Sequence, residues 1–586
     1  MKFLRNLLAS ILGSLVAFGI LTGMFFIFLA LMGSVDDGVV VKENSVLELS
    51  FVGPILDYTG KDETDPFAAF SGEELGLDEI LHAIKVAKND DNIEGISITT
   101  GYLMAGVAQT QEIRKALLDF KSSGKFVMAH SDVYAQRDYY LASAADEVYI
   151  NPVGVLDFKG LATEVLFYKE LQEKSGIKME VIRHGKYKSA VEPFLSSEMS
   201  DANRTQIKEL ISSLWNSMVD EISLGRNISP ENLNVIADTL GGRTPELAKN
   251  TGLIDNLAFY DQYENSLRKA LGVLDSEDLN IISLDDYVIR SNTKNKKSGS
   301  DKIAVIFAQG EILYGEGGPD VIGQGIMTKA IRKAKEDDKV KAIVLRVDSP
   351  GGSALVSDII WREVELAKES KPVVVSMGNV AASGGYYIAA GANKIFAEPT
   401  TITGSIGVFG TIPNMAELAD DIGINAEQVG TNKNSVDYSL FEPMTDEFRV
   451  VVQEGVEDVY EIFLSRVAAG RGITIAEADS IAQGRVWSGV DAKRLGLVDE
   501  LGNLEDAIAE AANMAELEEY GIKKLPRYKS GFEKLMEDLG GVSTEAKQSF
   551  IEEEIGQETY SILKQVKSAM EQKEVQARMP FVLDIK

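Results

Sequence analysis

The sequence predicts an α/β protein in which two tandem repeats follow an N-terminal transmembrane helix. Three observations carry this prediction: an uncharged apolar stretch at the N-terminus, an internal similarity at constant spacing, and short apolar runs that alternate with helical patterns. The chain has 586 residues. Since a single hydrophobic core does not grow to that size, more than one domain is expected.

The N-terminal segment has the composition of a membrane span. Residues Asn6–Val35 carry no charge and are mostly apolar, and a spanning helix needs about 20 such residues. Lys2 and Arg5 precede the stretch, which predicts that the N-terminus stays in the cytoplasm and the rest of the chain lies outside it. The alternative is a cleaved secretory signal, whose apolar region is typically shorter, about 7–15 residues. We therefore predict an uncleaved anchor over residues 1–37.

Two stretches of the remaining chain resemble each other at a fixed spacing. NDDNIEGISITT from Asn89 matches EDDKVKAIVLRV from Glu336, and DYYLASAADEVYINP from Asp138 matches GYYIAAGANKIFAEP from Gly385. The spacing is 247 residues in both matches, which indicates an internal repeat rather than coincidence. The predicted domains are a first repeat over residues 38–290, a linker over 291–300, a second repeat over 301–540 and a C-terminal appendage over 541–586.

Each repeat alternates strand-like and helix-like segments. IAVIFA, AIVLRV and PVVVSM are rich in Val and Ile and apolar on both faces, which is typical of buried parallel strands. ALVSDIIWREVELAKES lies between two of them and has apolar residues at helical spacing. This alternation predicts a parallel sheet with right-handed crossovers. An amphipathic stretch over 550–570 and the apolar MPFVLDI predict that the appendage packs on the body.

Composition excludes several functional classes. The formal net charge is -31 and no basic stripe is present, so we expect no nucleic-acid partner. The absence of cysteine excludes a thiol nucleophile and cysteine-ligated metal centres, and no HExxH motif is present. A nucleophile, if there is one, must then be Ser or Thr.

The repeats differ where chemistry is expected. The second repeat has DSPGGS at 348–353, where the first has lost both middle glycines. The second repeat also has Ser383 followed by Gly384 and Gly385, whereas the first has Gln136, Arg137 and Asp138 at the matching positions. The second copy therefore keeps a Ser–Gly–Gly turn that the first copy lacks.

A serine at a strand-to-helix turn presents its hydroxyl beside unpaired backbone N–H groups. The PGG loop can offer a further N–H from across a cleft, and two such donors form an oxyanion hole. Each glycine pair alone is explained as well by a tight turn. Their joint presence in one repeat and absence from the other favours catalysis.

The candidate base lies in the first repeat, in HGKYKSAVEPF at 184–194. Lys188 aligns with Asn434 of the second repeat, so the lysine stands only in the copy that lacks the serine. A lysine acts as a base when burial lowers its pKa from about 10.4 toward 7–8. His184 is the competing base, but no Asp or Glu in the adjacent sequence orients it. A solvated surface lysine is the alternative interpretation of Lys188.

The motifs GKYKSAVEPF, DSPGGS, SMGNVAASGGYYIA and TGSIGVFG resemble those of the signal peptide peptidase A family, also called protease IV, in its long duplicated form. The resemblance implies a fold like those of the Clp protease and crotonase families. It implies that Ser383 is the nucleophile and Lys188 the general base. Gly384 and Gly352 would supply the oxyanion-binding N–H groups, and Ser405 would hold the lysine amine. No metal or cofactor is implied.

The same resemblance implies partners and a location. Relatives resemble homotetrameric bowls that open toward the membrane, and they assemble the site across neighbouring subunits. Their substrates are cleaved signal peptides and other apolar peptides. We therefore expect a single-pass protein of the bacterial inner membrane, bound to the bilayer by its N-terminal helix, with its catalytic body on the periplasmic side.

Two other functions fit parts of the sequence. A crotonase-like acyl-thioester enzyme would also use two backbone N–H groups as an oxyanion hole, but such enzymes are usually soluble and use Glu or Asp as acid or base. A non-catalytic membrane scaffold would use the glycine loops only for subunit packing. The complementary serine and lysine favour a peptidase over both.

Overall fold

The structure is a computed structural model that describes residues 2–33, 40–51, 53–60, 75–99, 101–274, 277–294, 300–436, 438–528 and 576–579. Its first element is helix α1, Lys2–Gly33. Within these ranges, no helix combines the length and apolarity needed to cross a membrane. The predicted transmembrane helix therefore has no support from the structure and stays a prediction.

The first half of the chain forms a parallel sheet with its helices. Its elements are β1 (Ser45–Leu49), α2 (Leu77–Lys88), β2 (Ile93–Ile98), α3 (Val107–Lys121), β3 (Phe126–Tyr134), α4 (Gln136–Ala142), β4 (Glu147–Leu156), α5 (Lys169–Ser175), β5 (Lys178–Arg183), a 3₁₀ turn (Ser189–Val191), α6 (Glu192–Leu195), α7 (Asp201–Arg226), α8 (Pro230–Asp238), α9 (Pro245–Asn250), β6 (Asn256–Leu257), α10 (Tyr260–Leu271), β7 (Asn280–Ser283) and α11 (Leu284–Lys294). The strand order is β6-β4-β3-β2-β1-β7, and every pair is parallel.

The second half repeats this architecture. Its elements are β8 (Lys302–Gln309), β9 (Glu311–Leu313), β10 (Val321–Gly323), α12 (Gln324–Glu336), β11 (Val340–Ser349), β12 (Gly351–Ser353), α13 (Ala354–Lys368), β13 (Val373–Ala382), α14 (Gly384–Ala389), β14 (Lys394–Ala397), β15 (Ile402–Gly404), β16 (Phe409–Asn414), α15 (Ala416–Asp421), α16 (Asp446–Arg471), α17 (Ile475–Ile481), β17 (Val486–Ser488), α18 (Gly489–Arg494), β18 (Glu500–Leu501), α19 (Leu504–Met514), β19 (Gly521–Leu525) and β20 (Gln576–Arg578). Its main sheet has the order β17-β15-β13-β11-β8-β19, with β14 and β18 beside β13.

These elements confirm the predicted α/β class. The runs IAVIFA, AIVLRV and PVVVSM lie in β8, β11 and β13, which pair in parallel and are almost wholly buried. The segment ALVSDIIWREVELAKES forms helix α13, apart from its last two residues. Each half has its own apolar core, since one buried cluster draws on residues 41–288 and another draws almost entirely on residues 304–525.

The predicted linker differs from the structure, and most of the predicted C-terminal appendage lies outside the described residues. Helix α11 continues to Lys294, so the first residues of the predicted linker at 291–300 are helical. The buried Ser291 hydroxyl donates to the carbonyl of Val288 within this last stretch, a local contact that a search for apolar periodicity does not register. The amphipathic stretch over 550–570 lies outside the described residues, and of the predicted appendage only 576–579 are described. The predicted domain boundaries stay predictions.

A third sheet joins the two halves. Its order is β10-β9-β12-β20-β16-β5, so it combines β5 from the first half with strands from the second half and with β20 near the C-terminus. Strand β12 is the predicted PGG loop, and β5 ends shortly before Lys188. This small sheet therefore brings the two candidate motifs into one region.

Candidate active site

The pairing of β5 with β16 positions Lys188. The two strands are antiparallel, with Arg183 opposite Phe409. In an antiparallel pair, the chain that continues beyond Arg183 runs alongside the residues that precede Phe409. Lys188 is carried in this way to the segment that contains Ser405.

The Lys188 amine is buried among hydroxyl and carbonyl groups. Its Nζ lies 2.8 Å from Oγ of Ser383, 3.0 Å from Oγ of Ser405 and 3.1 Å from the carbonyl oxygen of Ser405. The side chain is fully buried. Burial lowers the pKa of the Lys188 amine well below its ordinary value, because the charged form loses its hydration.

A neutral amine in this position has a defined hydrogen-bond pattern. It has two N–H donors and one lone pair, and Ser405 supplies two acceptors through its hydroxyl and carbonyl oxygens. With both donors used there, the lone pair faces the hydroxyl of Ser383. The arrangement can accept the Ser383 proton.

Ser383 lies between β13 and α14, in a backbone conformation that is rare for serine. Its φ is 56° and its ψ is -115°. The conformation is held because the Ser383 N–H donates to the carbonyl of Gly404 at 2.8 Å and its carbonyl accepts from the N–H of Tyr387. Such backbone strain costs about 1–3 kcal/mol and often accompanies functional sites. The strained turn directs the hydroxyl toward Lys188.

The PGG loop packs directly against this turn. A Cβ added at Gly351 would lie 2.7 Å from the backbone N of Gly384 and 2.9 Å from the carbonyl oxygen of Ala382. A Cβ at Gly384 would lie 2.6 Å from Oγ of Ser357. A side chain would not fit at either position without displacing these groups, so the close approach of the two segments requires glycine at both.

In the first repeat, Gln136 occupies the position that aligns with Ser383. Its Nε2 donates to the carbonyl of Gly160 at 2.9 Å, and its Oε1 accepts from the N–H groups of Lys159 and Gly160. The side chain thus fastens a loop where the second repeat has a hydroxyl. No nucleophile stands at this position.

Asp138, which aligns with Gly385, occupies the same region of the first repeat. Its carboxylate accepts from the N–H of Leu103 at 2.6 Å and from the N–H of Ala135 at 3.0 Å. Burial raises the pKa of Asp138 to about 6. An internal carboxylate therefore joins two backbone segments of the first repeat, in the region where the second repeat has its glycine turn.

His184, the competing base, faces a different part of the second repeat. Its Nδ1 hydrogen-bonds to Oε2 of Glu457, and its ring stacks on Tyr460 with centroids 3.9 Å apart. Glu457 is 273 residues away in sequence, so inspection of the neighbouring sequence could not find this carboxylate. Lys188, rather than His184, contacts Ser383.

A buried ionic cluster on strand β11 was not found from the sequence. Nε of Arg346 donates to Asp57 at 2.6 Å and its Nη2 donates to Glu112 at 2.5 Å, and all three side chains are buried. Asp348 lies nearby at the start of DSPGGS, and burial together with the Asp57 charge raises its pKa to about 7. The sequence feature that could have indicated the cluster is the presence of Arg346 and Asp348 within the otherwise apolar strand β11. In the described part of the chain, no cluster of three His, Asp or Glu side chains is arranged to hold a metal ion.

Comparisons with known proteins extend these observations. The profile of Peptidase family S49 matches residues 119–274 and again residues 365–518, one match in each repeat. Protease 4 of Salmonella typhi is 39% identical over 524 residues, which cover 85% of this chain and 84% of the relative. Protease 4 of Haemophilus influenzae is 35% identical and covers 81% and 80%. The chloroplastic serine protease SPPA of Arabidopsis thaliana is 33% identical and covers 81% and 70%.

Among solved structures, a mutant ClpP1 from Listeria monocytogenes matches 35% of this chain and 94% of its own length, with 16% identity and a TM-score of 0.24. That score is too low to support an argument, so the Clp-like and crotonase-like description of the repeats stays a prediction. The similarity to the protease 4 sequences, in contrast, covers most of both chains and confirms the resemblance found in the motifs. The chain belongs to Peptidase family S49 and is a serine peptidase.

Proposed function

We propose that this chain is an endopeptidase in which Ser383 is the nucleophile and Lys188 is the general base. The observation that carries the proposal is the 2.8 Å contact between Nζ of Lys188 and Oγ of Ser383 in a fully buried position. Burial favours the neutral amine, and only a neutral amine can take up the serine proton.

The proposed reaction has two stages. In the first, the Ser383 proton moves to Nζ of Lys188 while Oγ attacks the peptide carbonyl carbon, and the tetrahedral intermediate collapses with loss of the amine, which takes the proton from Lys188. In the second, Lys188 removes a proton from water, the water oxygen attacks the acyl ester, and Oγ of Ser383 leaves and takes that proton back from Lys188, which restores both the hydroxyl and the neutral amine.

Backbone N–H groups of Gly384 and Gly352 are the proposed oxyanion donors. The close approach of the PGG loop to the Gly384 backbone supports this proposal. One such donor contributes about 3–4 kcal/mol to transition-state stabilisation in a known hydrolase. Ser405 is the proposed positioning residue, because its hydroxyl and carbonyl oxygens hold both amine hydrogens.

We further propose that the substrates are cleaved signal peptides and other apolar peptides, and that the protein is a homotetramer anchored in the bacterial inner membrane with its body on the periplasmic side. The uncharged stretch Asn6–Val35, preceded by Lys2 and Arg5, supports the anchor and its orientation. The names of the relatives, which include a signal peptide peptidase of Enterococcus faecium that is 37% identical over 189 residues, support the substrate class.

A serine-directed fluorophosphonate tests the nucleophile. Wild-type protein should be labelled, whereas the Ser383→Ala and Lys188→Ala variants should not be labelled. Equal labelling of Ser383→Ala would refute the assignment of the nucleophile. Because the contact lies within one chain, a mixture of the two variants should stay inactive; recovery of activity on mixing would instead indicate a site shared between subunits.

A further inference from the structure

A short strand near the C-terminus lies in the groove beside the catalytic pair. Strand β20 pairs antiparallel with β12, the PGG loop, and also antiparallel with β16. It therefore fills the gap between the two strands that flank the candidate site. Recognition of an extended peptide that adds a strand to a sheet is a common mode of peptide binding.

The register of this pairing assigns a role to each residue of the segment. The N–H of Met579 donates to the carbonyl of Pro350 at 2.6 Å. In an antiparallel ladder, hydrogen-bonded and non-hydrogen-bonded pairs alternate. Gly352 and Ala577 form the next hydrogen-bonded pair, so the N–H of Gly352 donates to the carbonyl of Ala577. The same N–H is a proposed oxyanion donor.

The Ala577 carbonyl is also close to the second proposed donor. A Cβ added at Gly384 would lie 3.0 Å from the carbonyl oxygen of Ala577, and a Cβ at Gly351 would lie 2.3 Å from it. The oxygen thus sits between the two glycine segments, beside Ser383. This is the position that the carbonyl of the bond to be cut must occupy.

The side chains of the segment are seated as well as its backbone. Ala577 is completely buried, which suits a small residue against two glycine segments. Met579, two residues further on, belongs to a buried apolar cluster with Leu210, Leu214, Ala382, Ile402 and Val486. Ala382 directly precedes Ser383, so this apolar pocket adjoins the nucleophile.

We propose that residues 576–579 are a built-in peptide ligand of the active-site groove, bound in substrate register, with Ala577 in the acyl position and Met579 in an apolar specificity pocket. The proposal rests on the proposed function and extends it in two ways. External peptides must displace this segment before they can bind. The groove takes peptides with a small residue at the acyl position and an apolar residue two positions after it.

The test measures peptide binding without catalysis. All variants carry Ser383→Ala, which also prevents cutting of the Ala577–Arg578 bond during the measurement. One chain ends after Val575 and lacks the segment; its matched control ends after Pro580 and keeps it. The probe is a dye-labelled peptide with the sequence of residues 574–580, EVQARMP, and its dissociation constant is measured by fluorescence anisotropy.

The chain that ends after Val575 should bind the probe about tenfold or more tightly than the chain that ends after Pro580, since the internal segment occupies the groove of the control. A full-length Met579→Asp variant should also bind the probe tightly, because a buried unpaired carboxylate disfavours the docked segment, whereas Met579→Leu should behave like the control. Changing Met to Asp within the probe should weaken its binding to the chain that ends after Val575.

Equal probe affinity in the two truncated chains, or no binding to either, would overturn the proposal. These results are independent of the catalytic assignment, because none of the proteins needs to be active. Labelling by the fluorophosphonate tests Ser383 and Lys188, and the anisotropy experiment tests the groove. In the active background, the chain that ends after Val575 should have a lower KM with an unchanged kcat, as expected for loss of a competing ligand.

Discussion

Nζ of Lys188 lies 2.8 Å from Oγ of Ser383, although 195 residues separate them in the sequence. The contact exists because β5, which leads to Lys188, leaves the first half of the chain and pairs with β16 of the second half. Each repeat by itself holds only one member of the pair. The duplication therefore yields one complete site per chain.

Replacement of Lys188 should abolish catalysis, whereas replacement of a neighbouring lysine should not. Lys188→Met should lower kcat by about 10²–10⁴-fold, the usual contribution of a general base. Lys188→Arg should be equally inactive, because a guanidinium does not deprotonate. Lys186→Met is the matched control, since Lys186 is exposed two residues away. Steady-state hydrolysis of a peptide substrate measures these effects, and an active Lys188→Arg variant would contradict the assignment.

The buried amine should make stability depend on pH. Burial lowers the pKa of Lys188 in the folded protein below its value in the unfolded chain, so the unfolded chain binds more protons and the free energy of unfolding rises with pH. The Lys188→Met substitution removes this contribution to the pH dependence of the free energy of unfolding. The free energy of unfolding of Lys188→Met, relative to that of wild type, should be highest near pH 6 and should decline toward about pH 9. Denaturant unfolding at several pH values measures the difference, and a constant difference would indicate that the amine is not buried.

The backbone at Ser383 should favour glycine over alanine. Its φ of 56° is strained for any residue with a Cβ, so Ser383→Gly should be about 1 kcal/mol more stable than Ser383→Ala. Ser357 lies within helix α13 and provides the control. There the order should reverse, with glycine about 1 kcal/mol less stable than alanine. Thermal unfolding of the four variants measures both differences, and the same order at both sites would argue against a strained turn.

The buried arginine should contribute much more to stability than an exposed ion pair between the same halves of the chain. Arg346→Met leaves the carboxylates of Asp57 and Glu112 buried without their partner, which should destabilise the protein by about 3–5 kcal/mol. Lys85→Met removes the exposed pair with Glu505, 2.7 Å long, and should cost less than about 1 kcal/mol.

Denaturant unfolding compares these two variants. The effect of Arg346→Met should shrink at acidic pH, because a protonated carboxyl is easier to bury than a carboxylate. Equal destabilisation by the two substitutions would show that burial of the cluster does not decide its contribution.

Several features could be predicted from the sequence because they depend on local pattern. Buried parallel strands have continuous Val- and Ile-rich runs, so β8, β11 and β13 could be located directly. The 247-residue spacing predicted the duplication, and the profile of Peptidase family S49 matches each half. Comparison of the two copies singled out Ser383, the PGG loop and Lys188, because it showed which residues the shared scaffold does not require.

Other features depend on which distant segments meet, and no local pattern encodes that. Strands β5, β12, β16 and β20 are short and belong to a sheet whose members come from both halves and from near the C-terminus. The partners of Arg346 and His184 are likewise hundreds of residues away. The α/β repeats and the candidate residues Ser383 and Lys188 could thus be derived from the sequence alone. The contact of Lys188 with Ser383 within one chain and the place of Ala577 in the groove could be seen only in the folded chain, because strand pairing across such separations depends on side-chain packing and long-range register rather than on residue periodicity.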